Sequence, residues 1–282
     1  MISAVKIQEL SQSIKDNISK VIVGKEEAVN QILVSLYCRG HVLLEDLPGT
    51  GKTMLAKTIS RSIDCECKRI QFTPDLLPSD VTGINFYNQK EEEFLFKPGP
   101  IFANIILADE INRATPRTQS SLLECMEERQ VTIDGVTRKL EEPFLVLATQ
   151  NPLETQGTFP LPEAQLDRFF MRLAMGYPDK QEEETILSRF IIGNPLEEVS
   201  PVATKEMIIE VQNSIPQIKV SDAVMGYIVD IVHATRNSQD IRLGASPRAS
   251  IALTKASQAY AALNGREYVL PDDVKAVCAN VL

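Results

Sequence analysis

The chain has 282 residues, 44% of them hydrophobic and 24% charged, which suits a globular protein with a large buried core and excludes a disordered or collagen-like chain. Its 29 basic and 38 acidic side chains give a formal net charge of −9, which argues against a protein that coats nucleic acid or an anionic membrane. Residues 1–184 carry −8 of this charge and residues 185–282 carry −1, so the acidic excess lies almost entirely in the first part.

Short apolar runs alternate with helical patterns over the first two-thirds of the chain, and this alternation predicts a parallel sheet flanked by helices. The predicted strands cover residues 41–45, 68–72, 105–109, 144–149 and 169–175. Helices are predicted over residues 52–62 and 116–128. Two segments with a period of two interrupt the alternation. Residues 84–96 predict a hairpin or an irregular insertion, and residues 131–140 predict a hairpin around Asp134-Gly135.

The pattern changes after residue 178, where five helical stretches follow one another without a convincing strand. They cover residues 180–190, 204–214, 221–237, 247–263 and 271–281. A boundary near residues 178–184 therefore divides an α/β domain, residues 1–180, from a smaller all-α domain, residues 181–282. The last helical pattern reaches Leu282 without a stop signal, so the all-α domain is expected to be truncated at its C-terminus.

The sequence shows no sign of export or membrane insertion. The first 20 residues contain no signal-peptide core, and no apolar run approaches the roughly 20 residues that cross a bilayer. The five cysteines are scattered and the two histidines are too few to complete a zinc site, which predicts reduced thiols. We therefore expect a cytoplasmic protein without membrane insertion.

The most informative motif runs from Asp46 to Thr53 with the sequence DLPGTGKT, between a predicted buried strand and a predicted helix. It matches the phosphate-loop pattern GxxxxGK[ST] except that Asp46 replaces the first glycine. Gly49 and Gly51 allow backbone amides to surround phosphate oxygens, and the helix N-terminus adds its dipole. Lys52 is expected to reach the β- and γ-phosphates, and Thr53 to bind Mg²⁺.

Two further strand ends carry side chains suited to nucleotide hydrolysis. Asp109 closes the apolar run of residues 105–109, where a carboxylate can hold Mg²⁺, and the adjacent Glu110 can orient and deprotonate the attacking water. Asn151 follows the next strand and is expected to lie beside Asp109, where its amide positions water against the γ-phosphate. The acidic pair follows Thr53 by 56 residues, and the combination predicts hydrolysis rather than nucleotide storage.

Two arginines lie beside element boundaries, Arg168 in the sequence LDRFF and Arg248 in the sequence GASPR. The fixed donors of a guanidinium suit phosphate oxygens, so both are candidates for stabilising charge on a nucleotide. Arg113, Arg117 and Arg172 are weaker candidates for the same role.

In combination, these motifs resemble those of the AAA+ ATPases, and specifically of the MoxR family. The matching stretches cover nearly the whole chain in the expected order: LEDLPGTGKT from residue 44, QFTPDLLPSD from 71, FKPGPI from 96, ADEINRA from 108, ATQNP from 148, PEAQLDRF from 162 and ASPRA from 245. The resemblance implies a three-layer αβα core with a five-stranded parallel sheet and a small all-α lid. It also implies a homo-oligomeric ring, usually a hexamer, that binds ATP and Mg²⁺ between subunits.

The resemblance assigns roles to single residues as well. Asn151 corresponds to sensor 1, Arg168 to the arginine finger supplied in trans and Arg248 to sensor 2 on the lid, with Arg172 as the alternative to Arg168. Val23 and Gly24 are expected near adenine. The other nucleotide-binding residues are expected in the loop and at the start of its helix: Pro48, Gly49, Thr50, Gly51, Lys52, Thr53 and Met54. Residues 84–96 correspond to the helix-2 insert and residues 131–140 to the hairpin before sensor 1, which face the pore or a partner.

The MoxR family is associated with chaperone-like maturation of protein complexes, often with von Willebrand factor A-domain proteins, so the resemblance implies ATP-driven remodelling of a protein client. The alternative is a nucleic-acid motor like the related minichromosome maintenance helicases. The second hairpin disfavours nucleic acid, because Arg129, Arg138 and Lys139 are mixed with acidic neighbours and form no basic stripe. A nucleotide switch of the GTPase type is disfavoured because the DxxG sequence from Asp80 to Gly83 has no NKxD guanine reader to accompany it.

Overall fold

Parallel strands form the centre of the computed structural model, which describes residues 2–45, 49–152 and 157–282. The strands of the described residues are β1 (Val42–Glu45), β2 (Cys67–Gln71), β3 (Gly83–Asn88), β4 (Glu93–Pro98), β5 (Ile105–Asp109), β6 (Gln130–Ile133), β7 (Val136–Lys139), β8 (Leu145–Gln150) and β9 (Met171–Leu173). Five of them pair in the order β2-β5-β8-β1-β9, with every neighbour parallel. The five-stranded parallel sheet predicted from the apolar runs is therefore confirmed.

The remaining four strands form two antiparallel hairpins. The insert hairpin pairs β3 with β4, and the second hairpin pairs β6 with β7 around Asp134 and Gly135. They also contact each other, because Asn85 Nδ2 donates to Asp134 Oδ2 at 2.7 Å and the Arg138 guanidinium lies 4.0 Å from the centre of the Phe96 ring.

Helices surround the sheet and make up the C-terminal part of the chain. They are α1 (Ala4–Ser19), α2 (Glu26–Tyr37), α3 (Lys52–Ser62), α4 (Pro78–Thr82), α5 (Pro116–Glu128), α6 (Glu163–Leu166), α7 (Lys180–Ile192), α8 (Lys205–Ser214), α9 (Asp222–Asn237), α10 (Pro247–Leu263) and α11 (Pro271–Val281). Short 3₁₀ turns occur at Ile111–Arg113, Pro195–Glu198 and Ile215–Gln217. No helix in the part of the chain that the structure describes is long and apolar enough to span a membrane.

Helix α1 was not among the helices predicted from the sequence, and one side of it is buried. Ile7, Leu10, Ile14 and Ile18 follow the spacing of three and four residues that places side chains on one helical face. This face packs against α2, α3 and α10. The apolar stripe and the Ser3 side chain, which accepts from the Lys6 N–H at the helix start, were signals for this helix in the sequence.

Successive residues of the central strands point to opposite sides of the sheet and enter two separate hydrophobic clusters. Leu145 and Leu147 join the cluster that contains α1, α2 and α3, whereas Val146 and Ala148 join the cluster that contains α5. This division produces the three-layer αβα arrangement. Buried side chains of α8 to α11 extend the first cluster, so the C-terminal helices share a core with α1 and α2.

Candidate active site

The loop between β1 and α3 lies at the carboxyl edge of the sheet, as a phosphate loop requires. Gly49 and Gly51 have φ angles of 85° and 86°, and a Cβ added to either would meet no atom within 4 Å. Backbone conformation rather than lack of space therefore explains these glycines. Gly51 is followed directly by the first turn of α3, whose amides and dipole favour an anion. Asp46 and Pro48 lie outside the described residues.

One cavity unites most of the predicted site residues. It is lined by Gly49, Thr50, Gly51, Lys52, Thr53, Met54, Arg69, Asp109, Glu110, Thr149, Gln150 and Asn151. These residues come from the loop, from α3 and from the carboxyl ends of β5 and β8, with Arg69 from β2. We call this space the phosphate cavity. Parallel strand ends meet at one edge, which is why residues distant in sequence converge there.

Asp109 is held by two contacts at the end of β5. The Thr149 hydroxyl donates to Asp109 Oδ1 at 2.6 Å, and the Arg69 guanidinium donates to Asp109 Oδ2 from Nη2 at 2.5 Å and from Nε at 3.1 Å. A cation thus already lies against this carboxylate. Together with the Thr53 hydroxyl in the same cavity, Asp109 supplies the hard oxygen ligands that Mg²⁺ prefers, so these residues fit the metal.

Glu110 follows β5 in the left-handed region, with φ of 56° and ψ of 49°. This conformation costs a non-glycine residue about 1–2 kcal/mol and is found chiefly where a local constraint stabilises it. Here the Glu110 N–H donates to the Thr149 hydroxyl at 2.9 Å. The Glu110 carboxylate accepts from Gln71 Nε2 at 2.6 Å and lies 3.2 Å from Arg113 Nε. The left-handed backbone and these side-chain contacts therefore fix the position of the Glu110 carboxylate.

Sequence reasoning missed Arg69 and Gln71 on β2 and did not single out the Thr149 hydroxyl. The register pairs Gln71 with Asp109, and Arg69 lies two residues earlier on the same side of the strand. Arg69 and Gln71 alternate with the apolar Ile70 in the sequence, which was a signal that the two polar side chains share one side of the strand. Strand order was needed as well, because only the position of β2 beside β5 brings those side chains to the acidic pair.

Val23 and Gly24 lie beside the phosphate cavity rather than in it. They line a neighbouring cavity together with the C-terminal end of α1, the start of α2 and Arg189 of α7. Met54 lines the phosphate cavity and Ile22 lines the neighbouring one, and both pack on the same apolar cluster of Val21, Leu196 and Val199.

Arg168 and Arg248 lie together at the opposite, amino edge of the sheet. Glu127 at the end of α5 contacts both, with Oε2 at 3.4 Å from Arg168 Nε and Oε1 at 3.6 Å from Arg248 Nη2. Asp167 lies 4.0 Å from Arg248. The structure therefore brings the two arginines to each other and not into the phosphate cavity of their own chain.

Arg172 lies at the carboxyl edge, although it is only four residues from Arg168. Its Nη2 donates to both carboxylate oxygens of Glu45, at 2.8 and 2.7 Å, and Gln150 donates to the same Glu45 at 2.5 Å. Arg172 lies within β9 beside Leu43 of β1, and its side chain reaches Glu45 at the end of β1, whereas Arg168 precedes β9 and contacts Glu127, so the two guanidinium groups have different partners.

His41 is buried at the amino edge of the sheet, directly before β1 and near Arg168 and Arg248. The Val146 N–H donates to His41 Nδ1 at 3.0 Å, so Nε2 carries the proton and donates to the Met126 carbonyl at 3.0 Å. Burial, with a smaller effect from the charge of Arg129, lowers the pKa of His41 from about 6.5 to about 3. His41 is therefore a neutral hydrogen-bonding residue of the core.

Comparison with known proteins agrees with this geometry. The family model described as the ATPase family associated with various cellular activities (AAA) matches residues 41–171, and the AAA lid domain model matches residues 233–282. Chaperone MoxR1 of Mycobacterium tuberculosis is 41% identical over 99% of this chain and 76% of its own length. Protein MoxR of Paracoccus denitrificans is 33% identical over 93% of this chain and 84% of its own length. The chain belongs to the MoxR family of AAA+ ATPases.

This MoxR-family chain is also 54% identical to YeaC of Bacillus subtilis, an uncharacterised protein, over 92% of this chain and 81% of YeaC. A crystal structure of a candidate ATPase from Cytophaga hutchinsonii matches with a TM-score of 0.92 and 42% identity, covering 99% of this chain and 87% of that one. The family and the fold predicted from the motifs are thereby confirmed.

Proposed function

We propose that this chain hydrolyses ATP and uses the cycle to remodel or mature a protein complex. The observation that carries the proposal is the phosphate cavity, where Lys52, Thr53, Asp109, Glu110 and Asn151 meet at one edge of the sheet. A loop that only binds phosphate does not need an acidic pair and an amide on two neighbouring strands. Nucleotide hydrolysis does need them.

In this proposal the residues of the chain divide the chemical work. The loop amides and Lys52 bind the β- and γ-phosphates, while Thr53 and Asp109 hold Mg²⁺, which neutralises charge on the phosphates when bound. Glu110 orients the attacking water and accepts its proton. Asn151, at the end of β8, directs its amide towards the γ-phosphate.

The adenine end of the nucleotide is assigned to the space beside Met54. Val23 and Gly24, with Pro48 in the loop, are proposed to contact the base. Support comes from Met54, which lines the phosphate cavity and packs on the buried apolar cluster of Val21, Leu196 and Val199, because an aromatic base binds by apolar contact.

Arg168 and Arg248 are proposed to act on the nucleotide of a neighbouring subunit in a homo-oligomeric ring, with a hexamer as the expected form. The support is their shared position at the amino edge of the sheet, away from the phosphate cavity of their own chain. Arg168 is favoured over Arg172 as the arginine finger, because Arg172 is paired with Glu45 at the carboxyl edge.

We propose residues 1–180 as the nucleotide-binding core and residues 181–282 as a lid. Support comes from the loss of strands after β9 and from the lid match over residues 233–282. The packing of α8 to α11 on α1 and α2 means that a moving lid would carry the N-terminal helices with it or slide across them.

The two hairpins are proposed to contact the client, for which a von Willebrand factor A-domain protein is the first candidate. The insert hairpin exposes Tyr87 by 51% and Phe94 by 73%, with the two rings 5.3 Å apart. Exposed aromatic pairs on a projecting hairpin are typical of a protein-binding surface. The same cytoplasmic localisation is proposed for chain and client.

A nucleic-acid motor is the alternative function, and the named chaperone relatives do not favour it. Arg138 of the second hairpin stacks on Phe96 and so is already engaged within the protein. Stimulation of ATP hydrolysis by DNA that disappears at high salt would support the alternative.

The test of hydrolysis compares Lys52→Ala, Glu110→Gln and the control Glu124→Gln, which makes the same change on the exposed side of α5. Lys52→Ala should abolish nucleotide binding, whereas Glu110→Gln should bind ATP but hardly turn it over. Glu124→Gln should match the wild type. Equal ATPase rates for the wild type and Glu110→Gln would refute the mechanism.

Catalysis across an interface is tested by mixing Arg168→Ala subunits with Glu110→Gln subunits. A mixed interface joins the intact Glu110 of one subunit with the intact Arg168 of the next, so ATPase activity should reappear. No recovery in mixtures that sediment as oligomers would exclude Arg168 as the trans arginine.

A further inference from the structure

The phosphate cavity contains a second cation besides Lys52. Arg69 reaches it from β2, with a side chain that is 50% exposed, and both of its contacts to Asp109 converge on Oδ2. The other carboxylate oxygen of Asp109 accepts from Thr149. Both oxygens of the carboxylate proposed to hold the metal are thus engaged by groups of the protein itself.

We propose that Arg69 is a positioning residue that occupies the Asp109 carboxylate as an internal cation and yields it when the metal–nucleotide complex enters. This inference rests on the proposed function, because it takes Asp109 as a metal ligand. It adds a group that competes with the metal from within the same chain.

The electrostatics of the site support competition. The Asp109 side chain is 15% exposed, and a carboxylate with so little water loses stability when no positive charge lies beside it. Arg69 supplies that charge in the absence of metal. A divalent cation and a guanidinium repel each other strongly at the same oxygen, so binding of one requires displacement of the other.

Arg69 also connects the metal site to the proposed general base. Its Nη2 donates to Gln71 Oε1 at 2.6 Å, and Gln71 Nε2 donates to Glu110 Oε2 at 2.6 Å. A bound Arg69 therefore fixes the Gln71 amide in the orientation that holds Glu110. Departure of Arg69 from Asp109 ends its contact with Gln71 and leaves the hydrogen bond from Gln71 to Glu110, so Gln71 continues to hold the base when the metal is bound.

The test measures Mn²⁺ binding, by electron paramagnetic resonance, to the full chain saturated with the non-hydrolysable analogue AMP-PNP. Arg69→Gln removes the competitor, so the dissociation constant of Mn²⁺ should fall about three- to tenfold, as expected for loss of one partly exposed ion pair. Arg69→Lys keeps a positive charge but loses the bidentate contact, so its dissociation constant for Mn²⁺ should lie between those of the wild type and Arg69→Gln. Lys68→Gln is the matched control, since Lys68 pairs with Glu66, and should leave the constant unchanged.

Binding of fluorescent mant-AMP-PNP in EDTA separates the possible failures. Wild-type protein that binds this nucleotide neither in EDTA nor with Mg²⁺ would refute the proposed function. Wild-type protein that binds it, together with unchanged or weaker Mn²⁺ binding in folded Arg69→Gln, would refute the role of Arg69 alone. Weaker nucleotide binding by Arg69→Gln in EDTA would also overturn the inference, because Arg69 would then act on the phosphates.

Discussion

Acidification should destabilise this protein through a single buried side chain, His41. In the folded chain His41 Nδ1 accepts the Val146 N–H, so a proton on Nδ1 would destroy that hydrogen bond and place a charge in the core. Its pKa is accordingly about 3, against about 6.5 in the unfolded chain. Below pH 6.5 the unfolded state binds more protons than the folded state, so stability falls with falling pH.

The size of the effect follows from the difference between these two pKa values. Each pH unit between them costs about 1.4 kcal/mol, and the loss from pH 8 to pH 5 is about 2 kcal/mol. The stabilisation that comes from neutral His41 is complete above pH 6.5 and disappears as the pH approaches 3.

Urea unfolding of the wild type and of His41→Gln at pH 8, 6.5 and 5 measures this contribution. The variant retains an amide donor for the Met126 carbonyl but has no group that titrates, while the carboxylates contribute equally to both proteins. The variant should be less stable at pH 8, because it loses the edge-on packing of His41 on Phe144, and the gap should narrow by about 2 kcal/mol at pH 5. Parallel pH dependence of the two proteins would refute the reasoning.

Two further predictions concern the lid and the base. In urea titrations, Asp273→Asn should lower the free energy of unfolding by about 2–3 kcal/mol, because Asp273 is 2% exposed and accepts a hydrogen bond from Arg266 at 2.6 Å. The control Asp272→Asn changes the exposed neighbouring carboxylate and should lower it by about 0.5 kcal/mol or less. Gln71→Ala should reduce kcat for ATP hydrolysis about tenfold with little change in KM. The substitution removes the amide that holds Glu110, and Gln71 does not line the phosphate cavity. An equal change in kcat and KM would contradict this role.

The elements with strong local patterns were predictable. β5 and β8 are continuous apolar runs, and runs of this kind fill the centre of a sheet covered on both faces. Helices α3 and α5 begin and end at the predicted residues, because each has an apolar stripe at helical spacing and a turn residue or proline at its start. Helix α1 was missed although its apolar residues have helical spacing; what the sequence could not show is that this face packs on α10, more than 200 residues away.

The candidate site divides in the same manner. The sequence by itself determined the phosphate loop and the pair Asp109-Glu110, because the chemistry of these residues depends on their immediate neighbours along the chain. Only the tertiary structure decided that Arg69 and Gln71 join them, since strand order and register place β2 beside β5. Tertiary structure also gave Arg168 and Arg172 different partners, because Arg168 precedes β9 and contacts Glu127 of α5, whereas Arg172 lies within β9 and its side chain reaches Glu45 at the end of β1. The acidic excess in the first part of the chain includes Glu45 and Asp109. Their cationic partners, Arg172 and Arg69, become evident only in the folded protein.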